Sequence, residues 1–382
     1  MSHFQLPPLS LYIHIPWCIQ KCPYCDFNSR ALKGDLKEDA YIDALLADLD
    51  NELFQVHSRT LHSIFIGGGT PSLFSGSAIE RLLTGVRQRV VCPSDIEITL
   101  EANPGTLEAG HFEAYREAGV NRLSIGIQSF DAGCLQRLGR IHGPDEAIAA
   151  FHAARRAGFE RINLDLMFGL PGQDLALAQL DLKRAVELQP EHISYYQLTL
   201  EPDTPFYHSP PTLPLEDDLW KVQQQGQALL SAHNYCQYEI SAYAQPGERC
   251  RHNLNYWTFG DYLGIGAGAH GKSTHSDGAI TRRWKLPDPT AYLAAAGSDN
   301  ALSGQKTLDS SEVTLEFMMN ALRLHQGFSQ DLYEQRTGLP FATIAATVEN
   351  TIQGGLLEYY EDKFRPTSLG KRFLNNLLEK FL

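Results

Sequence analysis

Six short runs rich in apolar and β-branched residues recur along the first half of the chain: LYIHI (11–15), SIFIG (63–67), IEITL (96–100), RLSIGI (122–127), RINLDLMF (161–168) and HISYYQLTL (192–200). Between them, EDAYIDALLADLDNELFQV (38–56), SAIERLLTGVRQRV (77–90) and LALAQLDLKRAVEL (175–188) repeat their apolar residues at threes and fours, the period of an amphipathic helix. Near-continuous apolar strands alternating with such helices predict parallel βαβ units with both sheet faces covered. The expected fold is therefore α/β, a (β/α)6-type, TIM-like barrel closed wholly or partly. In such folds chemistry gathers where strands end and loops begin. The candidate residues fall at those points: Cys18 to Cys25 after the first run, GGGTPS (67–72) after the second, Glu101 and Asn103 after the third, Gln128 after the fourth, and Asp165 near the end of the fifth. One barrel mouth would collect them.

After about residue 230 the alternation fails. The Gly-rich segment GDYLGIGAGAHG (260–271) predicts a strand and turn in close backbone contact with a neighbour. AAAGSDNALSGQ (294–305) resembles a linker. From about 306 the pattern becomes three helices, a hairpin (356–367) and a last helix (368–382), the order of a winged-helix-like module. The expected division is a core over 1–230, a core extension over 231–300 and a C-terminal domain over 301–382. Residues 306–382 carry 8 basic and 10 acidic side chains, which favours a packing lid over nucleic-acid binding.

Composition narrows the field. The 382 residues are 43% hydrophobic and 20% charged, an ordinary globular balance, and the formal net charge is −13. That charge argues against a general nucleic-acid or anionic-membrane surface, which needs clustered Lys and Arg. The opening MSHFQLPPLSLYIHI has no basic stretch ahead of a long apolar one, and no segment reaches the roughly 20 apolar residues of a membrane helix, so a cytoplasmic protein is expected. Seven cysteines, an odd number, do not make a disulfide framework. Cys92, Cys134, Cys236 and Cys250 are scattered, whereas Cys18, Cys22 and Cys25 share one loop.

Three thiolates on a short loop suit zinc or an iron–sulfur cluster. Structural zinc sites usually show a second Cys or His pair, and no second CxxC exists in the chain. A 4Fe-4S cluster normally takes four thiolates, so three leave one iron open to another ligand. CxxxCxxC at the end of a first strand, with Tyr24 before the last Cys, resembles the signature of the radical S-adenosylmethionine (SAM) enzymes. Together with YIHIPW, GGGTPS, EANP (101–104), RLSIGIQSF (122–130), DLMFGLPGQ (165–173) and HNLNYW (252–257), it resembles the oxygen-independent coproporphyrinogen III oxidase superfamily from about residue 10 to 375. Within that superfamily the chain is similar to the branch of radical-SAM haem chaperones, HemW-like proteins.

The resemblance implies a partial barrel and a 4Fe-4S cluster on Cys18, Cys22 and Cys25, with SAM on its open iron and an electron donor. It implies SAM contacts from Tyr12, Tyr24, Gly68, Gly69, Thr70, Glu101, Gln128, Arg140 and Asp165. Their chemistry is apt, since carboxylates suit an ammonium or ribose hydroxyls and an Arg suits a carboxylate. The oxidases carry a further cysteine two positions after the third ligand, where this chain has Phe27. The chaperone branch has CDF there and HNxxYW late in the chain, as here. A His beside aromatics suits haem as an axial ligand, but His252 equally suits a packed loop. Two functions compete: a chaperone that binds haem and passes it to a recipient haemoprotein, and an oxidative decarboxylase of coproporphyrinogen III. Phe27 and HNLNYW favour the first.

Overall fold

The computed structural model describes residues 6–55, 58–105 and 110–382. The opening residues 1–5 and the expected end of the first helix at residue 56 lie outside the described residues. The six expected strands form, as β1 (Leu9–Ile15), β2 (Leu61–Gly68), β3 (Glu97–Ala102), β4 (Arg122–Gln128), β5 (Ile162–Phe168) and β6 (His192–Gln197). Each pairs in parallel with the next, in sequence order. Helices Glu38–Glu52, Gly76–Arg89, Pro144–Arg156 and Leu175–Glu187 cover the outside.

The strands are less uniformly apolar than their sequences suggest. Leu9, Leu11, Ile13 and Ile15 of β1, Ile64 and Ile66 of β2, Leu123 and Ile125 of β4, and Ile162, Leu164 and Leu166 of β5 join the core that also buries Tyr41, Leu45 and Leu82 of the covering helices. The alternate positions face the barrel interior and are largely polar: Ser10, Tyr12 and His14; Glu97, Thr99 and Glu101; Arg122 and Ser124; Asn163 and Asp165; His192, Ser194 and Tyr196. A strand alternates its faces every residue, so a barrel with a polar lumen needs this second pattern inside the first.

The barrel stays open, as the resemblance implies. The far edge of β1 pairs in parallel with β9 (Asp261–Ile265), whereas β6 pairs antiparallel with β8 (Ala242–Ala244), itself paired with β7 (Cys236–Glu239). Beyond β9 lie β10 (His270–Thr274), β11 (Ile280–Lys285) and β12 (Leu302–Thr307), all antiparallel, completing one mixed sheet of 12 strands. The stretch 294–305 is therefore not a linker. Helix Pro289–Ala295 ends within it, and β12 closes the sheet edge, so the expected boundary at 300 falls just before a strand of the same sheet. The expected Gly-rich strand and turn is β9 and its exit: a Cβ on Gly264 would lie 1.9 Å from the carbonyl O of His270.

The C-terminal segment has helices Ser310–Ala321, Gln330–Thr337 and Ala345–Gln353, the hairpin Leu357–Tyr360 with Lys363–Pro366, and short helices Ser368–Arg372 and Leu374–Leu378. Phe317, Phe328, Tyr333 and Leu357 centre a core that also takes in Phe259 and Ile280 of β11. It meets the sheet at β11, where Arg282 pairs with Glu316 at 3.1 Å, and at β7, through a bridge of Leu324 to Glu239 and the His325 N–H on the Tyr238 carbonyl at 3.0 Å. Among the described residues no helix is long and apolar enough to cross a membrane.

Candidate functional site

At the C-terminal ends of the barrel strands a cavity of about 530 Å³ runs from the loop after β1 down into the lumen. Cys18, Cys22, Tyr24 and Cys25 line it, and so do Gly68, Gly69, Thr70, Glu101, Gln128, Arg140 and Asp165. The single mouth expected from the strand ends is thus formed.

The loop that carries the thiols is tied down by backbone bonds. The Cys25 N–H donates to the Cys22 carbonyl at 3.2 Å, and the Leu32 N–H to that of Cys18 at 2.8 Å. The glycines after β2 hold this loop in place. Gly68 sits at φ +117°, and a Cβ there would lie 2.6 Å from the His14 ring; one on Gly69 would lie 2.5 Å from the Trp17 carbonyl O. The Gly69 N–H bonds the Ile15 carbonyl at 2.7 Å and the Gly68 N–H bonds Glu101 Oε2 at 3.0 Å. Their bareness thus first serves the approach of β1 and the cysteine loop.

Among the described residues no three His, Cys, Asp or Glu gather closely enough to hold a single ion. The thiols instead line one shared cavity from separate points, as a cluster taking one thiolate per iron requires. Arg140 Nη1 lies 3.7 Å from Cys22 Sγ, Nη2 donates to Asn103 Oδ1 at 2.8 Å and to the Gly126 carbonyl at 2.7 Å, and Nε is buried without a partner. The guanidinium therefore stands beside a thiol as well as facing the cavity, a broader position than a carboxylate contact alone.

Two carboxyl groups face the same space. Burial, and then the neighbouring Asp165, push the Glu101 carboxyl up to about 8. Asp165 is raised by burial against hydrogen bonds from Ser124 Oγ at 3.0 Å and Asn163 Nδ2 at 2.8 Å. Neither has a basic side chain in hydrogen-bond contact, so a cation arriving in the cavity relieves both. An acceptor pair for an ammonium beside a guanidinium for a carboxylate is the donor set that the amino-acid end of SAM needs.

Gln128 has φ +69° at an irregularity in the β4–β5 register and accepts from Tyr196 Oη at 2.8 Å. Backbone strain at a non-glycine residue on a cavity wall is what a positioned side chain costs. Tyr12 is not among the lining residues: it stacks on Phe65 within the lumen and bonds His14 Nδ1 at 2.9 Å. Tyr196, Ser194 and Glu239 line the cavity without having been singled out; only the period-2 alternation of HISYYQ hinted at the first two.

His252 lies elsewhere. Helix Arg251–Trp257 plugs the opposite end of the barrel, where His252 is 1% exposed. Its Nδ1 pairs with Ser63 Oγ at 2.9 Å and its Nε2 with Tyr256 Oη at 3.3 Å, while its backbone N–H donates to Glu97 at 3.0 Å. Burial lowers the imidazole to about 3. With both ring nitrogens engaged in the packed lumen, His252 is not presented as an axial ligand, which corrects that expectation in favour of the packed alternative.

The Radical SAM superfamily profile matches residues 12–180, and that of the HemN C-terminal domain matches 308–373. The haem chaperone HemW of Escherichia coli is 52% identical, with 99% of each chain covered; that of Haemophilus influenzae is 50% identical over 99% of both. The chain belongs to the haem chaperone HemW family. The Bacillus subtilis HemW, at 35% identity, covers 98% of this chain. The solved coproporphyrinogen III oxidase HemN of Escherichia coli superposes with a TM-score of 0.83 over 100% of this chain and 91% of its own, at 24% identity, and so shares the fold. Phe27, two positions after the third thiol, lines this cavity.

Proposed function

We propose that the protein binds haem and hands it to a recipient haemoprotein, and that it carries a 4Fe-4S cluster on Cys18, Cys22 and Cys25 with SAM beside it. The observation that carries this reading is the cavity itself. Three thiols, an Arg and two cation-poor carboxyls converge on it, while Phe27, 57% exposed, occupies the lining position of a catalytic thiol. When bound, the cluster would supply single electrons to an adjacent sulfonium. This chain's part is to hold the thiolates apart on one loop, to receive the ammonium at Glu101 and Asp165, and to face a carboxylate with Arg140. A cytoplasmic location and an external electron donor fit a reduced cluster held by free thiols.

The test supplies anaerobically reconstituted protein with haem and an apo-haemoprotein, and separately with coproporphyrinogen III, SAM and reductant. Haem transfer without protoporphyrinogen formation is expected. Steady porphyrinogen turnover would overturn the chaperone reading.

A further inference from the structure

Beneath the barrel cavity the lumen holds a continuous chain of polar side chains that ends on Asp165. Ser124 on β4, Asn163 on β5 and His192 on β6 stand in register across three neighbouring strands, one row below Asp165 on the same face. Tyr238 on β7 extends the row. Asn163, His192 and Tyr238 are buried, and none of them lines the cavity. Tyr238 Oη meets His192 Nε2 at 2.9 Å, His192 Nδ1 meets Asn163 Oδ1 at 2.6 Å, and Asn163 Nδ2 donates to Asp165 Oδ1 at 2.8 Å. Asn163 Nδ2 also donates to Ser124 Oγ at 2.8 Å, whose own proton goes to Asp165 Oδ2 at 3.0 Å.

The sense of these bonds is set from the far end. The Cys250 backbone N–H, which can only donate, reaches Tyr238 Oη at 3.4 Å. That leaves the phenol proton for His192 Nε2, so the imidazole carries its single proton on Nδ1. A second proton is excluded, because burial, and then Arg122 and Arg161, hold His192 well below the ordinary histidine range. Nδ1–H needs an oxygen opposite it, which turns the Asn163 carbonyl toward His192 and the amide NH2 toward Asp165. Ser194 Oγ, donating to the same carbonyl at 3.1 Å, enforces that orientation. Two donors are thereby delivered to one carboxyl. With the other histidine tautomer the amide would turn over and set its oxygen against the Asp165 carboxylate.

We propose that His192 is a positioning residue for SAM: by fixing the Asn163 amide it holds Asp165 as an ionised acceptor facing the cofactor, while Tyr238 fixes the tautomer of His192. The inference rests on the reading of Asp165 as a SAM contact and extends it to side chains that do not line the cavity. It also separates the roles of the two carboxyls. Asp165 collects the donors and the charge, and that charge helps to keep a proton on Glu101 while the cavity is empty.

Equilibrium dialysis of SAM against anaerobically reconstituted full-length protein measures the effect in wild type, His192→Phe and Tyr238→Phe, each with and without Asp165→Asn. Circular dichroism selects folded variants, and iron and sulfide assays those with a full cluster. His192→Phe should weaken SAM binding about tenfold, and Tyr238→Phe, which keeps the imidazole but frees its tautomer, about threefold. In the Asp165→Asn background each further loss should fall below about twofold, because both residues act through that carboxyl. A purely structural role would give equal losses in the two backgrounds, and that result would overturn the proposal. Wild-type affinity in both single variants, or in Tyr238→Phe alone should His192→Phe not fold, would overturn it as well. Absence of saturable SAM binding by wild type would instead overturn the SAM reading itself, before any variant is compared.

Discussion

Glu101 shows what one side chain costs an empty site. Its carboxyl is held up to about 8, against an ordinary 4.5. The folded state therefore keeps a proton that the unfolded chain has released, and stability falls as pH rises from about 4.5 to about 8. Glu101→Gln keeps an oxygen for the Gly68 N–H and has no charge to bury. In protein prepared without cofactors it should be more stable than wild type at pH 8 by on the order of 1–2 kcal/mol, with the cavity's own solvent reducing the full effect. The two should unfold alike at pH 4.5. Urea unfolding at both pH values checks this, and equal stability at pH 8 would show that the carboxyl is not desolvated. His252 titrates with the opposite sign. Its imidazole is lowered to about 3 by burial, with Glu97 opposing and His62 and Arg122 adding to the effect. Stability held above pH 6.5 is lost as pH falls toward 3, because the unfolded state takes up the proton first. His252→Gln should flatten part of that slope, and a denaturation series from pH 7 to 4 that runs parallel for the two proteins would contradict the burial described.

Among elements, the turn after β2 is the most exacting. Gly68→Ala combines a left-handed backbone with a Cβ 2.6 Å from the His14 ring, so a loss of about 1–3 kcal/mol is expected. Because His14 also bonds the Asn28 carbonyl at 2.9 Å, the displacement should reach the cysteine loop and lower iron content after reconstitution. Iron and acid-labile sulfide assays on the folded variant measure that directly. Changing Cys18, Cys22 and Cys25 together to Ala should abolish bound cluster altogether, whereas the four scattered cysteines, of which Cys134 and Cys250 are buried and Cys236 exposed, should be dispensable for it. The elements up to residue 200 were legible because apolar period and strand-end chemistry coincide there. The polar lumen was less so, since Ser124 and Asn163 sit within runs that read as near-continuously apolar. Residues 302–307 were missed for a related reason: LSGQKT is an exposed edge strand whose ladder to β11 leaves almost no hydrophobic signature.

On the scale of the whole molecule, sequence spacing concealed what the fold brings together. The three thiols, Glu101 and Asp165 share a mouth because consecutive parallel strands end side by side, which the alternation foretold. Arg323 and Glu239 joined the wall through a C-terminal contact that nothing in their local sequence announced. Arg323→Met should break the ion pair with Glu239, both of whose members line the barrel cavity. We expect it to alter the electron paramagnetic resonance response of the reduced cluster to added SAM, and an identical response in wild type and variant would show that the pair does not shape the barrel cavity.

β1, which leads directly into the cysteine loop, lies in the middle of the finished sheet, between β2 and a strand near the other end of the chain: Leu9 pairs with Asp261. At roughly 5–20 residues per second of synthesis, that second neighbour leaves the ribosome on the order of 10–50 s after β1 does. Throughout that interval LSLYIHI has an unpaired apolar edge, the kind of surface on which chains associate wrongly. Completion of the sheet around the strand that leads into the cysteine loop is thus a late event in the life of each molecule. Shielding that edge during synthesis, by a chaperone or by slow dilute expression, should therefore raise the yield of folded protein.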